Sequence, residues 1–301
     1  MDKYGLILAL IVLCLIMSLS TTTFLQVRNI VNVIRQISII SILAIGVTYV
    51  ILTGGIDLSL GSLVAVAGVS AATFAHPDTY PLIVPIAVGI LVGVAFGLFN
   101  GIVITRGGVA PFITTLGVMT AARGTALIIA KGRPISNLSD SFNFIGGGEL
   151  FGIPFPIIIF LVVFIVSHFI LSKTKFGRYI YAIGGNEEAA RASGVKVKKV
   201  KTLVYVICSG LAGLAGVIQS SRIAVGQPSI GEGYELDAIA AVVIGGTSLE
   251  GGIGTVFGTI IGSLIIGVLN NGLDLLNVPS YYQQVVKGLI IIGAVLLDRK
   301  K

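Results

Sequence analysis

The chain has 301 residues, of which 55% are hydrophobic and 11% charged, and its mean hydropathy is +1.02. These values exclude a soluble globule with a solvated surface and predict an all-α, polytopic membrane protein. The net charge of +7 does not indicate nucleic acid as a partner, because the basic residues lie in loops between apolar runs, as in cytoplasmic loops of membrane proteins.

The first apolar run covers residues 4–20. It resembles a signal peptide in that Ser18-Leu19-Ser20 loosely fits a cleavage site of small residues. However, Asp2 and Lys3 give the preceding region no net positive charge beyond the terminus, and many apolar runs follow. We therefore favour an uncleaved first membrane span.

A helix break is predicted at 54–61, with the sequence GGIDLSLG, after an apolar run over 37–53. Paired glycines end one helix, and Asp57 or Ser59 can cap the next, which we expect from Ser62 to about His76. One interpretation is a tight turn at a membrane face. The other places Asp57 at a cavity, because unwound backbone at membrane depth persists only where it lines one.

A stripe of glycines follows within residues 81–105. Gly89, Gly93, Gly97 and Gly101 recur every four residues and so share one helix face, where another helix can pack closely. Asn100 lies beside the stripe and either lines a pathway or serves as an interface group. The next apolar run, 111–130, contains Arg123 among small residues, which predicts a crowded protein interface. A polar, Gly-rich loop is expected over 131–153, before a span over 154–172.

The one long polar segment, 173–201, carries eight of the twenty Lys and Arg residues. Within it, Asn186 is a predicted N-cap, Glu187 and Glu188 favour the first turn of a helix, and Gly194 ends that helix. Glu187 and Arg191 form an i,i+4 pair. Such a helix is far shorter than the roughly 12–15 residues needed for marginal stability in water. We therefore predict that the segment docks on a partner.

The last third of the chain predicts a second break. An acidic loop over 221–237 leads to a short apolar run, 238–244, which predicts a half-helix or a buried discontinuous span. Thr247 and Glu250 have capping-box spacing, so the next helix is expected to start near them. Residues 245–250 also resemble 54–59, which hints at the repeated halves that transporters use. A final span is expected over 281–297.

The topology follows from the distribution of positive charge over about ten membrane-embedded segments. With both termini and the 173–201 segment inside, thirteen Lys and Arg residues are cytoplasmic and seven are outside or embedded. The whole chain, 1–301, is thus predicted to be one transmembrane domain with a cytoplasmic docking segment.

The sequence argues against catalysis in this chain. It contains no phosphate-binding G-x-x-x-x-G-K-[ST] loop, no G-x-S-x-G elbow and no H-E-x-x-H metal helix. Cys14 and Cys208 lie in apolar runs, and two histidines do not make a His-rich metal site. A transporter-like scaffold with a docking helix and no nucleotide site of its own indicates a motor in another chain.

Four motifs carry a resemblance to a known family: GGIDLSLGS at 54–62, GRYIYAIGGNEEAARASGV at 177–195, GYELDAIAAVVIGGTSLEGG at 233–252 and LNNGLDLL at 269–276. In this order they resemble the permease subunits of ribose-type ABC sugar importers. The resemblance implies an all-helical permease of the bacterial inner membrane, paired with a second copy or with a related permease. It also implies a cytoplasmic ATPase that holds ATP and Mg, and an external sugar-binding protein.

The resemblance also implies roles for particular residues. The residues that would couple to the ATPase are Gly184, Gly185, Asn186, Glu187, Ala190, Arg191, Ser193 and Gly194. The residues near the translocation route would be Asp57, Ser59, Asn100, Thr247 and Ser248. The acids Glu232, Glu235 and Asp237 would contact the binding protein, or else only favour the start of a helix through its dipole.

Two other classes of membrane protein remain as alternatives. An ion-coupled secondary sugar carrier also uses broken helices and repeats, and it requires a buried coupling acid, for which Asp57 is the only plausible residue. A membrane scaffold or assembly factor would not require two Gly-rich breaks at membrane depth.

Overall fold

A computed structural model describes residues 3–298, which form thirteen α-helices and one two-stranded ribbon. The first six helices are α1 Lys3–Ser20, α2 Val27–Leu52, α3 Leu60–Thr73, α4 Ile83–Thr105, α5 Pro111–Ile129 and α6 Asp140–Gly147. The antiparallel strands are β1 Glu149–Leu150 and β2 Ile153–Pro154. The remaining helices are α7 Phe155–Lys173, α8 Lys175–Gly185, α9 Glu187–Ala192, α10 Val197–Arg222, α11 Tyr234–Ile244, α12 Val256–Leu275 and α13 Ser280–Asp298.

Six of these helices, α2, α4, α5, α7, α10 and α12, are long and apolar enough to cross a membrane. Their outward surfaces are apolar, as on α7, where Ile165 is 62% exposed. This pattern fits a bundle surrounded by lipid rather than water. The predicted helical, multi-pass membrane architecture is therefore confirmed in its coarse form. Three of the predicted cytoplasmic charges, Arg299, Lys300 and Lys301, lie outside the described residues.

The centre of the bundle is α10, which packs against α2, α3 and α4. The predicted glycine stripe on α4 forms the closest of these contacts. Gly93 approaches the backbone of Gly213, and a Cβ at Gly97 would lie 2.5 Å from the carbonyl oxygen of Tyr205. Because the atoms opposite the stripe are mostly backbone, the two helices meet with almost no side chain between them.

The first break is confirmed, although the bounds of the flanking helices differ from those predicted. α2 begins at Val27, ten residues before the apolar run, and Arg35 in its third turn pairs with Glu149 at 2.7 Å. The helix ends at Leu52, and α3 starts at Leu60 rather than at Ser62. The chain between them, 53–59, is non-helical; Asp57 and Ser59 are buried within the bundle, whereas Gly54 is exposed.

The second break is also present, but the predicted start of the following helix is wrong. α12 begins at Val256, where the Thr255 hydroxyl caps it by accepting from the Gly258 N–H at 3.0 Å. Gly251 and Gly252 have φ of 94° and 72°, a left-handed conformation that no helix beginning at residue 247 accommodates. Thr247 and Glu250 therefore form no capping box.

The predicted loop at 131–153 contains more structure than its composition indicates. Ser139 caps α6 by accepting from the Phe142 N–H at 3.3 Å, and the Phe142 side chain is completely buried. The Ser221 hydroxyl then fastens α6 to α10, accepting from the Gly146 N–H at 2.6 Å. The Ser-Asp pair before Phe142 was the N-cap signal for this helix.

Loops at the two ends of the bundle are held by separate contacts. At one end, the Ser139 N–H donates to the Ala75 carbonyl at 2.8 Å and the Ile135 N–H donates to the Gly226 carbonyl at 3.0 Å. At the other end, the hydroxyls of Thr105 and Thr202 lie 3.0 Å apart, near the polar segment that contains α8 and α9. The docking segment and the acidic loop therefore lie on opposite faces.

Candidate functional site

The predicted docking helix is α9. The Asn186 side chain caps it by accepting from the Ala189 N–H at 2.9 Å, as expected. Gly194 has a φ of 85°, and the next N–H, that of Val195, closes the end by donating to the Ala190 carbonyl at 3.1 Å. Start, length and end of this helix are all confirmed.

Glu187 joins α9 to the rest of the bundle. Its carboxylate accepts from Arg191 at 2.9 Å, the predicted pair, and from Lys201 of α10 at 3.0 Å. Partial burial raises the pKa of Glu187, but the two cations more than offset this effect and leave the pKa below its ordinary value. The ionised carboxylate thus links the short helix to the central one. The Lys201 contact was not predicted, because only the fold brings it close.

The outer surface of α9 is formed by side chains that the chain itself does not cover. The residues exposed there include Asn186, Glu188, Arg191 and Ser193. Ala190 of the predicted coupling set is only 5% exposed and packs into this chain's own core, so its role in coupling stays a prediction. The exposed side of α9 remains available to a partner.

Gly184 has an internal position rather than a surface one. A Cβ there would clash with the carbonyl of Leu52, at the end of α2, and with the backbone of Gly252 in the second break. Gly252 itself donates to the Leu52 carbonyl at 3.0 Å, and a Cβ at Gly251 would lie 2.9 Å from the Gly54 nitrogen. Both breaks therefore meet the end of α8, one residue before the docking helix begins. We call this contact the glycine junction.

Three of the predicted pathway residues lie together. The Asp57 Oδ1 accepts from the backbone N–H and the hydroxyl of Ser59, at 2.9 and 2.5 Å, and Asn100 Nδ2 donates to the same hydroxyl at 3.2 Å. All three side chains are completely buried. Asp57 Oδ2 and Asn100 Oδ1 have no partner among the described residues. In this conformation the cluster is enclosed by α4 and α10, and its place on a route stays a prediction.

The other two predicted pathway residues belong to the second break. Thr247 is 1% exposed beneath Gly254, and its hydroxyl has no partner among the described residues. The Ser248 N–H donates to the Ile253 carbonyl at 2.9 Å and shapes the turn. Neither residue hydrogen-bonds to the Asp57 cluster in the part of the chain that the structure describes. Their role in transport likewise stays a prediction.

The three acids predicted to contact a binding protein occupy different environments. Asp237 lies in the first turn of α11, is 5% exposed, and accepts from Lys287 at 3.0 Å and from Asn270 at 3.2 Å. Its contact with a binding protein stays a prediction. Glu235 is half-buried against Gly61, and only Glu232 is exposed. No sequence pattern predicts the Lys287 contact, which joins α11 to α13.

Arg123 confirms the predicted protein interface. Its Nη1 donates to the carbonyl oxygens of Pro228 and Ile230, at 2.7 and 2.9 Å. The guanidinium thereby satisfies the backbone of the irregular segment before α11. It also lies near Glu232 and Glu235, with which it shares one cavity wall.

Comparison with known proteins gives a family and several full-length relatives. Residues 29–295 match the family described as branched-chain amino acid transport system / permease component. The ribose import permease protein RbsC of Bacillus subtilis is 50% identical over 303 residues, covering 100% of this chain and 94% of that protein. RbsC of Escherichia coli is 46% identical over 305 residues, with the same coverage.

A further relative is named for another sugar. The D-allose transport system permease protein AlsC of Escherichia coli is 40% identical over 300 residues, covering 99% of this chain and 92% of that protein. No solved structure gives a significant match. The family match covers most of the chain and includes both breaks and the docking helix, so the chain belongs to the branched-chain amino acid transport system / permease component family.

Proposed function

We propose that the chain is the transmembrane permease subunit of an ABC importer and moves a monosaccharide, with ribose as the best candidate, into the cell. ATP hydrolysis in a partner ATPase, which holds ATP and Mg, drives the movement. The observation that supports the proposal is the short capped helix α9, with its exposed outer face, in a chain whose relatives of matching length are named ribose import permeases. Relatives named for allose, arabinose and xylose, at 36–40% identity, support the monosaccharide class.

The coupling step uses two contacts that join α9 to the bundle, namely the Glu187–Lys201 ion pair and the glycine junction. When the ATPase closes, its groove moves the exposed face around Glu188, Arg191 and Ser193. The Glu187–Lys201 ion pair carries that displacement to α10. At the same time, the glycine junction carries it to the ends of both broken helices. Because these contacts are backbone against backbone, the junction has little freedom to absorb the motion.

We infer the membrane topology from the positive-inside rule, and the arrangement of the helices supports it. The six spanning helices, together with α1, α13 and the short helices α3 and α11, give about ten embedded segments. Both termini and α9 are then cytoplasmic, in agreement with the positive-inside rule. The loops at 74–82, 131–154 and 223–233 face outward in the bacterial inner membrane.

The remaining partners follow from the same arrangement. A periplasmic or extracellular sugar-binding protein docks on the outer loops, where Glu232 is exposed. A second permease copy completes the translocation route, and lipid covers the apolar surfaces. An ion-coupled carrier is the less favoured alternative, because its coupling acid, Asp57, is completely buried and hydrogen-bonded to Ser59.

The direct test is co-purification from native membranes in mild detergent, followed by mass spectrometry. We expect an ATPase with nucleotide-binding motifs and an exported binding protein to be recovered with the chain. The variant Glu188→Ala/Arg191→Ala should insert into the membrane but no longer co-purify with the ATPase. Lys131→Ala, at the opposite end of the bundle, should insert and still co-purify with the ATPase. Equal ATPase recovery with both variants would contradict the coupling role of α9. Recovery of the chain without any ATPase would contradict the proposed function.

A further inference from the structure

A cavity of about 450 Å³, lined by Met119 and by six hydrophilic residues, opens between α3, α5 and the segment before α11. We call it the polar cavity. Its hydrophilic lining residues are Ser62, Thr120, Arg123, Ser229, Glu232 and Glu235. None of these was assigned to the pathway from the sequence. The volume lies within the range of about 300–1,000 Å³ that small-molecule sites occupy.

Unused hydrogen-bonding groups face this space. Ser62 is 3% exposed and lines the cavity, and among the described side chains none hydrogen-bonds to its hydroxyl. Arg123 uses Nη1 for two carbonyl oxygens, while its Nε and Nη2 donors have no hydrogen-bond partner in the described part of the chain. The Ser62 hydroxyl and the remaining Arg123 donors are therefore free to bind water or a ligand in the cavity.

The two carboxylates provide complementary acceptors. Glu232 and Glu235 form no ion pair within 4 Å in residues 3–298, although the charge of Arg123 is close to both. Glu235 is positioned by the fold, since its Oε2 packs directly against the Cα of Gly61. The cavity thus combines guanidinium donors, carboxylate acceptors and hydroxyls that can do both.

The opening of this cavity is not suited to lipid. Thr120, Ser229 and Glu232 are exposed around it, and Thr120 and Arg123 belong to α5, which is long and apolar enough to cross a membrane. A second cavity of about 410 Å³ continues the polar surface on the other side of Glu232 and Glu235, towards Lys287 of α13. Charged side chains at membrane depth face water or protein and mark substrate pathways. This side of the molecule therefore faces an aqueous route.

We propose that the polar cavity binds the hydroxyl groups of the transported monosaccharide, as a site within the membrane domain itself; this rests on the proposed function. A sugar ring offers several hydroxyls, each of which donates one hydrogen bond and accepts others, and this pattern matches the mixed donors and acceptors of the cavity. A sugar is also uncharged, so its binding adds no net charge beside the carboxylates of Glu232 and Glu235.

The test uses the full chain in proteoliposomes with its ATPase, with Cys14→Ser and Cys208→Ala and a reporter at Thr120→Cys. A hydrophilic thiol reagent should label the reporter, and D-ribose should slow the labelling by a factor of 1 + [ribose]/Kd, about tenfold at a concentration about nine times Kd. Ser229→Cys, at another part of the rim, is the second reporter. Ile165→Cys, on the lipid-facing surface of α7, is the control and should remain unlabelled.

The residue-specific arm is Glu235→Gln, which keeps the shape of the side chain and removes its charge. Losing a hydrogen bond to a charged group should raise the ribose concentration for half-protection by about tenfold. Protection by sodium or potassium ions but not by ribose would overturn the sugar site in favour of a cation. Labelling of Ile165→Cys at the same rate would overturn the aqueous cavity.

The outcomes separate this proposal from the proposed function. If ATP-driven ribose uptake persists but neither reporter is protected at any ribose concentration, the site is refuted and the importer stands. If no ATP-driven uptake occurs with the parent chain, the proposed function fails whatever the labelling shows.

Discussion

The contact between α4 and α10 makes a quantitative prediction at Gly97. A methyl group on its Cα would lie 2.5 Å from the Tyr205 carbonyl oxygen and 2.7 Å from the Ser209 Cβ. Ordinary contact begins at 3.4 Å, so the helices must separate locally by about 0.9 Å. Overpacking costs about 1–3 kcal/mol, and alanine recovers about 0.5–1 kcal/mol of backbone entropy. Gly97→Ala should therefore lower the free energy of unfolding by about 1–2 kcal/mol.

Gly117 in α5 offers a matched control, because a Cβ there would meet nothing within 4 Å. Gly117→Ala should leave stability unchanged or raise it by up to about 1 kcal/mol. The buried thiol of Cys208 supplies the assay: with Cys14 replaced, a thiol-reactive fluorophore reports unfolding as this side chain becomes accessible during heating in detergent. The midpoint should fall by several degrees for Gly97→Ala. Equal midpoints for both variants would refute the close packing of α4 on α10.

Other residues make separate predictions. Lys201→Met removes the ion pair that links α9 to α10. Because the Glu187 side chain is 39% exposed, the free energy of unfolding should fall by less than about 1 kcal/mol. The amount of sugar transported per ATP hydrolysed in proteoliposomes should fall clearly. Because the pKa of Glu187 is lowered in the folded protein, its carboxylate stabilises the fold above the ordinary carboxyl pKa. This stabilisation is lost as the pH falls through the lowered pKa. When the unfolding midpoint is measured against pH, the parent should show the loss and Glu187→Gln should not. Asp57→Asn keeps the acceptor that Ser59 uses and should retain ATP-driven uptake; a folded but inactive variant would favour the ion-coupled carrier. Asp237→Ala should lower the free energy of unfolding by about 3–5 kcal/mol, because it leaves Lys287 partly buried and unpaired. Adding Lys287→Met should restore stability. A double variant as unstable as Asp237→Ala would show that the ion pair is not formed.

Local sequence rules predicted the features that depend on adjacent residues. Asn186, Glu187 and Gly194 define α9 because capping, first-turn acids and a left-handed end are each set within a few positions. The glycine stripe was predictable for the same reason, since its spacing fixes one face of a helix. The two breaks were predictable as interruptions of the apolar pattern.

Contacts between distant segments were not accessible in this way. Lys201 and Lys287 each pair with an acid that only the packed fold brings near, so the burial of Asp237 has no sequence signature. The predicted start of α12 was wrong because it relied on the capping-box spacing of Thr247 and Glu250. It did not take into account the left-handed backbone at Gly251 and Gly252, which no helix beginning at residue 247 accommodates. The polar cavity was missed because its lining comes from three separate parts of the chain.

The central claim is that this chain transports a monosaccharide under the control of a separate ATPase through α9. The most direct measurement is radiolabelled ribose uptake into proteoliposomes that contain the chain, the ATPase and the binding protein, with ATP and Mg supplied on the ATPase side. The account predicts uptake that requires ATP, survives collapse of the proton and sodium gradients, and is lost in Glu188→Ala/Arg191→Ala. Uptake that proceeds without ATP and stops when the ion gradients collapse would contradict it.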